Sequence, residues 1–161
     1  GLHAASIAVN GMYRGVSKLA GMELLPVDGT QPAQQFDTLE KHWADFDFFY
    51  LHIKKTDTMG ESGDFMGKVR AIEEVDRLVP RLMALDPDVV LVGGDHSSPV
   101  VMKAHSWHPV PTLITSRLLR PDGVAEFGER ACGRGSLGLF PASQIMPLVL
   151  ANAQRLAKYG A

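Results

Sequence analysis

The run PDVVLVGG at 87–94 constrains this chain more than any other stretch. It packs Val89, Val90, Leu91 and Val92 together with no polar alternation, so it reads as a strand covered on both faces. Such a strand needs helices above and below it, and the sequence supplies them. The stretch at 64–85, DFMGKVRAIEEVDRLVPRLMAL, places Val69, Ile72, Leu78, Leu82 and Met83 along one side. Arg70/Glu74 and Glu73/Arg77 are spaced i,i+4 on the other side, and Pro80 kinks the helix or ends its regular part. Upstream, AASIAVNG (4–11) reads as a short buried strand or the approach to a helix. MYRGVSKLAG (12–21) is an amphipathic helix closed by Gly21, and MELLPV (22–27) is a strand ended by Asp28-Gly29. A helix over 32–45 starts at Pro32, and FDFFYLHI (46–53) has the length of a strand. Downstream, PVPTLITS (109–116) is another strand, and 141–160 is a closing helix interrupted or started at Pro147. This alternation predicts an α/β three-layer sandwich with a mostly parallel sheet. No repeat or low-complexity linker divides residues 1–161, which are expected to form a single domain.

Charge and cysteine content narrow the function classes. The net charge is −2 and no Lys/Arg run exceeds two residues, which argues against a nucleic-acid or anionic-membrane surface. No stretch reaches eighteen apolar residues, so no membrane span is expected. A single cysteine, Cys132, excludes an internal disulfide framework and suits a reducing cytoplasm. The opening GLHAASIAVNG lacks a methionine and enters an apolar run almost at once, as a processed or excised segment would.

In open α/β sheets, functional groups gather in loops after the carboxyl ends of strands. The strand 46–53 runs into KKTDTMGESGD, bringing Asp57, Glu61 and Asp64; the strand 87–92 runs into GGDHSS, bringing Asp95 and His96. His105 and His108 precede the third strand, where a parallel sheet would return its connection to the same rim. Simpler roles compete: Asp64 suits a helix N-cap, and His108, before Pro109, suits packing or solvent. Together, carboxylates and imidazoles on two strand-end loops form the mixed oxygen and nitrogen donor set that Mn²⁺ or Zn²⁺ takes.

The stretches TDTMGESGDFMGKVRAIEEVD, VVLVGGDHSSPVVMKAHSWHPVP and FGERACGRGSLG resemble the C-terminal portion of the cofactor-independent phosphoglycerate mutases of archaeal type, in the alkaline phosphatase superfamily. The resemblance spans roughly 1–160 and is most specific at GGDHSSPVVMKAHSWHPVP. It implies an isomerase of glycolysis that moves a phosphoryl group between the 2- and 3-positions of glycerate through a phosphoserine. It implies two divalent ions, Mn²⁺ first and Zn²⁺ or Mg²⁺ after it, weakly held or absent in a fragment. Asp95 and His96 match the pair on the ion nearest the nucleophile, and Asp57 and His105 match ligands of the other. Glu61 stands in GESG, where a histidine is expected, and offers a harder ligand.

Arg130 and Arg134 are the substrate-binding candidates, with Lys54, Lys55 and Lys68 as further cations for a carboxylate and a phosphate. Ser62, Ser97 and Ser98 do not match the nucleophile, which is expected in an N-terminal segment absent from this sequence. The chain is therefore expected to be the inactive, metal-binding portion of a longer mutase, with an alkaline-phosphatase-like core and an open strand edge that invites self-association. Against this stand a non-catalytic metal-binding module and a related phosphohydrolase.

Overall fold

In a computed structural model that describes residues 1–156, the chain forms two compact units. The first comprises Gly1–Asp86 together with Ser98–Ala104; the second comprises Pro87–Ser97 and the chain from His105 onward.

The first unit is built on a parallel sheet. Strand β1 (Ala4–Ala8) is followed by α1 (Gly11–Leu19), β2 (Glu23–Leu24), α2 (Pro32–Lys41), a 3-10 turn (Trp43–Asp45) and β3 (Phe48–His52). The strands lie in the order β2-β1-β3, with Ala5 opposite Glu23 and Phe49. The central strand reads AASIA, and its small side chains let helices pack close; Ala5, Ile7 and Ala8 are buried. Ile7, Leu25 and Leu39 form the core with Ala5, and Phe49, Leu51, Leu82 and Leu85 pack around it. The one hydroxyl on β1, Ser6, is buried and donates to Ser17 Oγ of α1 at 2.8 Å, which satisfies it where water is excluded.

Local signals place the helix ends. Asn10 caps α1 by accepting from the Met12 N–H at 3.0 Å, and Gly21 takes φ +84° just beyond its C-terminus. Pro32 opens α2, and the Gln34 side chain accepts from the Gln31 N–H at 2.9 Å. Gln35 is 1 % exposed, and its amide donates to Ile7 O at 3.2 Å and His52 O at 2.8 Å, tying α2 to the carboxyl ends of β1 and β3.

Beyond β3 the structure departs from the expected loop: Lys55–Ser62 is a helix, α3, closed by Gly63 at φ +79°. The stretch 64–85 divides into α4 (Phe65–Asp76) and α5 (Val79–Ala84), with Pro80 in the first turn of α5, as the proline demands. Asp64 caps α4, its Oδ1 accepting from the Gly67 N–H at 2.8 Å. Against the apolar pattern, Ile72 of α4 and Met83 of α5 are exposed, while α4 buries its small residues Gly67 and Ala71. Of the two i,i+4 pairs, Arg77–Glu73 forms at 3.2 Å, whereas Glu74 takes Lys55 at 2.8 Å. Arg81 of α5 reaches α2, with its guanidinium 2.7 Å from both Asp37 and Glu40. That hydrogen bond holds the Glu40 carboxyl below its ordinary value.

The second unit holds β4 (Val89–Val92), β5 (Leu113–Ser116), α6 (Glu129–Cys132), a 3-10 turn (Ala142–Gln144) and α7 (Ile145–Asn152). The mostly parallel strand arrangement here gains one antiparallel pair: β4 and β5 run in opposite directions, Val92 opposite Leu113 and Val89 opposite Ser116. Nor is β4 covered on both faces within its unit, since only Val90 of the four is buried. The closing helix starts at Ile145, two residues before Pro147, and the expected extension over 157–160 lies outside the described residues. Asn152 of α7 accepts from Ser116 Oγ at 2.7 Å, fastening this helix to the end of β5.

Candidate metal centre

The candidate ligands divide between the two units. In the first, Asp57 sits in the first turn of α3, half-buried and ion-paired with Lys54. Glu61 stands one turn further along α3 and is exposed. Four residues apart on a helix, the two carboxylates share a face. A loop could not fix that spacing, so the helix is a more rigid mount than the sequence suggested.

In the second unit the antiparallel pairing does what a parallel crossover was expected to do. It sets the end of β4 beside the start of β5, so the connection between them begins and ends at one rim. Gly94 passes so close to Val110 that an added Cβ would lie 3.2 Å from its Cγ1, and the chain then presents Asp95 and His96. Asp95 is exposed, and its carboxylate lies 3.5 Å from the His96 ring. A bridge between Ser97 and Ser106 draws the two sides of the connection together, with the Ser106 N–H donating to Ser97 O at 2.9 Å. It brings His96 and His105 into a ring stack with centroids 3.7 Å apart. A ligand nitrogen of each lies within 4.8 Å of the other's. Two metal–nitrogen bonds of about 2 Å span roughly that gap, so the pair fits a divalent ion by geometry and by donor type.

His108 is committed to this same connection. Its Nδ1 lies 2.8 Å from Ser106 Oγ, and its backbone oxygen accepts from Ser97 Oγ at 3.2 Å.

The cations proposed for substrate have nearer partners. Lys54 is paired with Asp57, Lys55 with Glu74, and the Lys68 ammonium donates to Ser98 O at 2.7 Å. Arg130 and Arg134 are exposed on and just after α6. Their loop is shaped by Asp122, which accepts from the Ser136 N–H at 2.8 Å and the Val124 N–H at 3.1 Å. Those backbone donors hold the Asp122 carboxyl below its ordinary value. Sequence reasoning gave Lys68 a substrate role and passed over Gly60.

Residues 1–152 match the family described as the metalloenzyme superfamily. The chain belongs to that superfamily. Among curated relatives, probable 2,3-bisphosphoglycerate-independent phosphoglycerate mutases from Thermotoga neapolitana and Thermus thermophilus are 53% and 50% identical over 99% of the chain. The chain spans 40% of the length of each. Among solved structures, the PH0037 protein from Pyrococcus horikoshii superposes with a TM-score of 0.91 at 29% identity, over 99% of this chain and 44% of that one. A cofactor-independent phosphoglycerate mutase from Thermoplasma acidophilum gives 0.75 over 94% of this chain and 37% of that one; at 22% identity it supports the mixed α/β fold. No helix among the described residues is long and apolar enough to cross a membrane.

Proposed function

We propose that this chain is the metal-holding portion of a phosphoglycerate mutase that interconverts 2- and 3-phosphoglycerate in the cytoplasm. The observation that carries this reading is the identity of about half the residues, across nearly the whole chain, to curated proteins of that name. In it, Asp95 and His96 hold one divalent ion, Mn²⁺ first among the candidates, and Asp57 and His105 hold a second, with Glu61 as a further carboxylate. The His96–His105 stack supports a metal centre here, because it gathers both imidazoles with a ligand nitrogen of each within 4.8 Å of the other's. Bound there, the ions supply Lewis-acid stabilisation of a transferring phosphoryl group.

The chain's own residues then have distinct tasks. Lys54 holds the Asp57 carboxylate in place through their ion pair. The Asp95 carboxylate lies 3.5 Å from the His96 ring, close enough for the two to share one ion. Arg130 and Arg134, exposed beside a glycine-rich loop, offer guanidinium forks to the carboxylate and phosphate of the substrate. The serine that accepts the phosphoryl group comes from an N-terminal segment outside this sequence.

The test is a longer protein that carries this segment, purified free of host mutase. It should interconvert the two phosphoglycerates, lose turnover to a chelator and regain it with Mn²⁺. Phosphate release from phosphoesters without interconversion would replace the mutase reading with a phosphohydrolase. Tight metal binding with neither activity would leave only a binding module.

A further inference from the structure

Residues 98–104, the strap between the two candidate histidines, do not pack with their sequence neighbours. Ser98–Ala104 belongs to the first unit, while His96 and His105 belong to the second. The strap is held on α3 and α4 by specific contacts. Ser98 is buried, and its backbone oxygen and hydroxyl accept from the Lys68 ammonium at 2.7 and 3.3 Å. Gly60 makes the approach possible: a Cβ there would lie 2.3 Å from Ser98 O and 3.0 Å from Ser98 Cβ. No flexible side chain could move to relieve the first of these, because the atom met is backbone. At the other end of the strap, the Lys103 stem lies over Gly63, and Lys103 itself takes φ +49°.

We infer that Gly60 and Lys68 are positioning residues for metal capture, fixing the strap and, through its two covalent ends, His96 and His105. The inference rests on the metal reading given above. Ser98 is two residues from His96 and Ala104 is joined directly to His105, so holding both ends of the strap limits how far the two imidazoles can move apart. The Ser97–Ser106 bridge adds a clamp at the base of the strap, so anchor and clamp together define one geometry for the ring stack. Gly60 stands on the same helix as Asp57, three residues on, so the strap is anchored to the element that mounts that carboxylate. Partners outside the ligand shell that hold ligands in place typically govern 10–100-fold of metal affinity.

The experiment is calorimetric titration of Mn²⁺ into the longer protein that carries this segment and into its variants, with apo-state folding followed by circular dichroism. Lys68→Met keeps the stem and the helix propensity and removes the donor. It should weaken Mn²⁺ binding at least tenfold with the apo unfolding midpoint little changed, and Lys68→Arg should recover part of the loss. Gly60→Ala should weaken binding as much or more. If Gly60→Ala unfolds the first unit, the Lys68 pair decides. Native-like Mn²⁺ affinity in Lys68→Met, in a chain whose affinity does collapse on His105→Ala, would overturn the positioning role alone. Equal Mn²⁺ binding by the native chain and His105→Ala would instead overturn the metal reading beneath it.

Discussion

Gln35 offers the sharpest test of how the first unit is held together. The perturbation is Gln35→Met, which keeps the length of the side chain and deletes its amide. That amide donates to Ile7 O and His52 O from a position 1 % exposed, so both carbonyls lose a partner where water has poor access. A buried acceptor left unsatisfied costs about 1–3 kcal/mol, and an added apolar group in the core recovers roughly 1–2 kcal/mol. The expected net loss is about 2 kcal/mol. With a urea slope of about 2 kcal/mol per molar for a body of this size, the midpoint falls by roughly 1 M.

The assay is urea unfolding followed by Trp43 in a Trp107→Phe background, so that one tryptophan reports on the first unit. Trp107 is 82 % exposed and can be replaced at little cost. A companion variant, Gln35→Glu, places a carboxylate against the same two oxygens. Burial and those dipoles raise its pKa, so its penalty should grow as pH rises and ease on acidification, when the protonated acid can donate to one carbonyl. A Gln35→Met midpoint within about 0.2 M of the parent would refute the reasoning, because it would mean that the two carbonyls are satisfied without Gln35.

Leu39→Ala, at a site 2 % exposed in the core, should cost about 2–5 kcal/mol by the same urea assay. Asp64→Ala removes the cap of α4 and should cost about 1 kcal/mol, while Asp64→Asn should restore most of it. Arg81→Met breaks the link from α5 to Asp37 and Glu40 and should cost about 0.5–1 kcal/mol at pH 7 in low salt. Glu40 is lowered in the folded state, so this contribution is present above the unfolded value near 4.5 and fades as pH falls through the folded value. Urea midpoints of native and variant proteins should therefore converge in acid, once the Glu40 carboxyl is protonated in the folded state; a gap that persists there would assign it to lost packing.

Much of this architecture was legible because local rules and tertiary structure agree. Pro32, Gly21, Asp64 and Pro80 each stand where the chain starts, stops or breaks a helix. The misreadings occur where neighbours override local pattern. KKTDTMGESGD looks like a loop because its glycines and charges dilute any apolar period, yet it is helical between Lys55 and Ser62. Gly60 is needed there for Ser98, a contact thirty-eight positions away that no local window contains. The direction of β5 was not legible for a related reason. A buried aliphatic run has the same composition in either orientation, and only its partner fixes which one forms. The candidate ligands were visible as residue types, but the ring stack depends on the Ser97–Ser106 bridge, and two serines nine positions apart carry no signal of pairing.

The borrowed strap has a further consequence during synthesis. Residues 1–86 emerge from the ribosome before 98–104 do, so the surface of α3 and α4 around Gly60 and Lys68 must wait for its last piece. At about 5–20 residues per second the delay is of the order of a second, long compared with the microseconds in which helices form. During that interval Lys68 has no Ser98 to bind and the notch over Gly60 stays solvated. The nascent first unit is thus an incomplete body whose final closure is timed by the translation of β4, and slow codons over 87–104 would lengthen its exposure to chaperones and proteases.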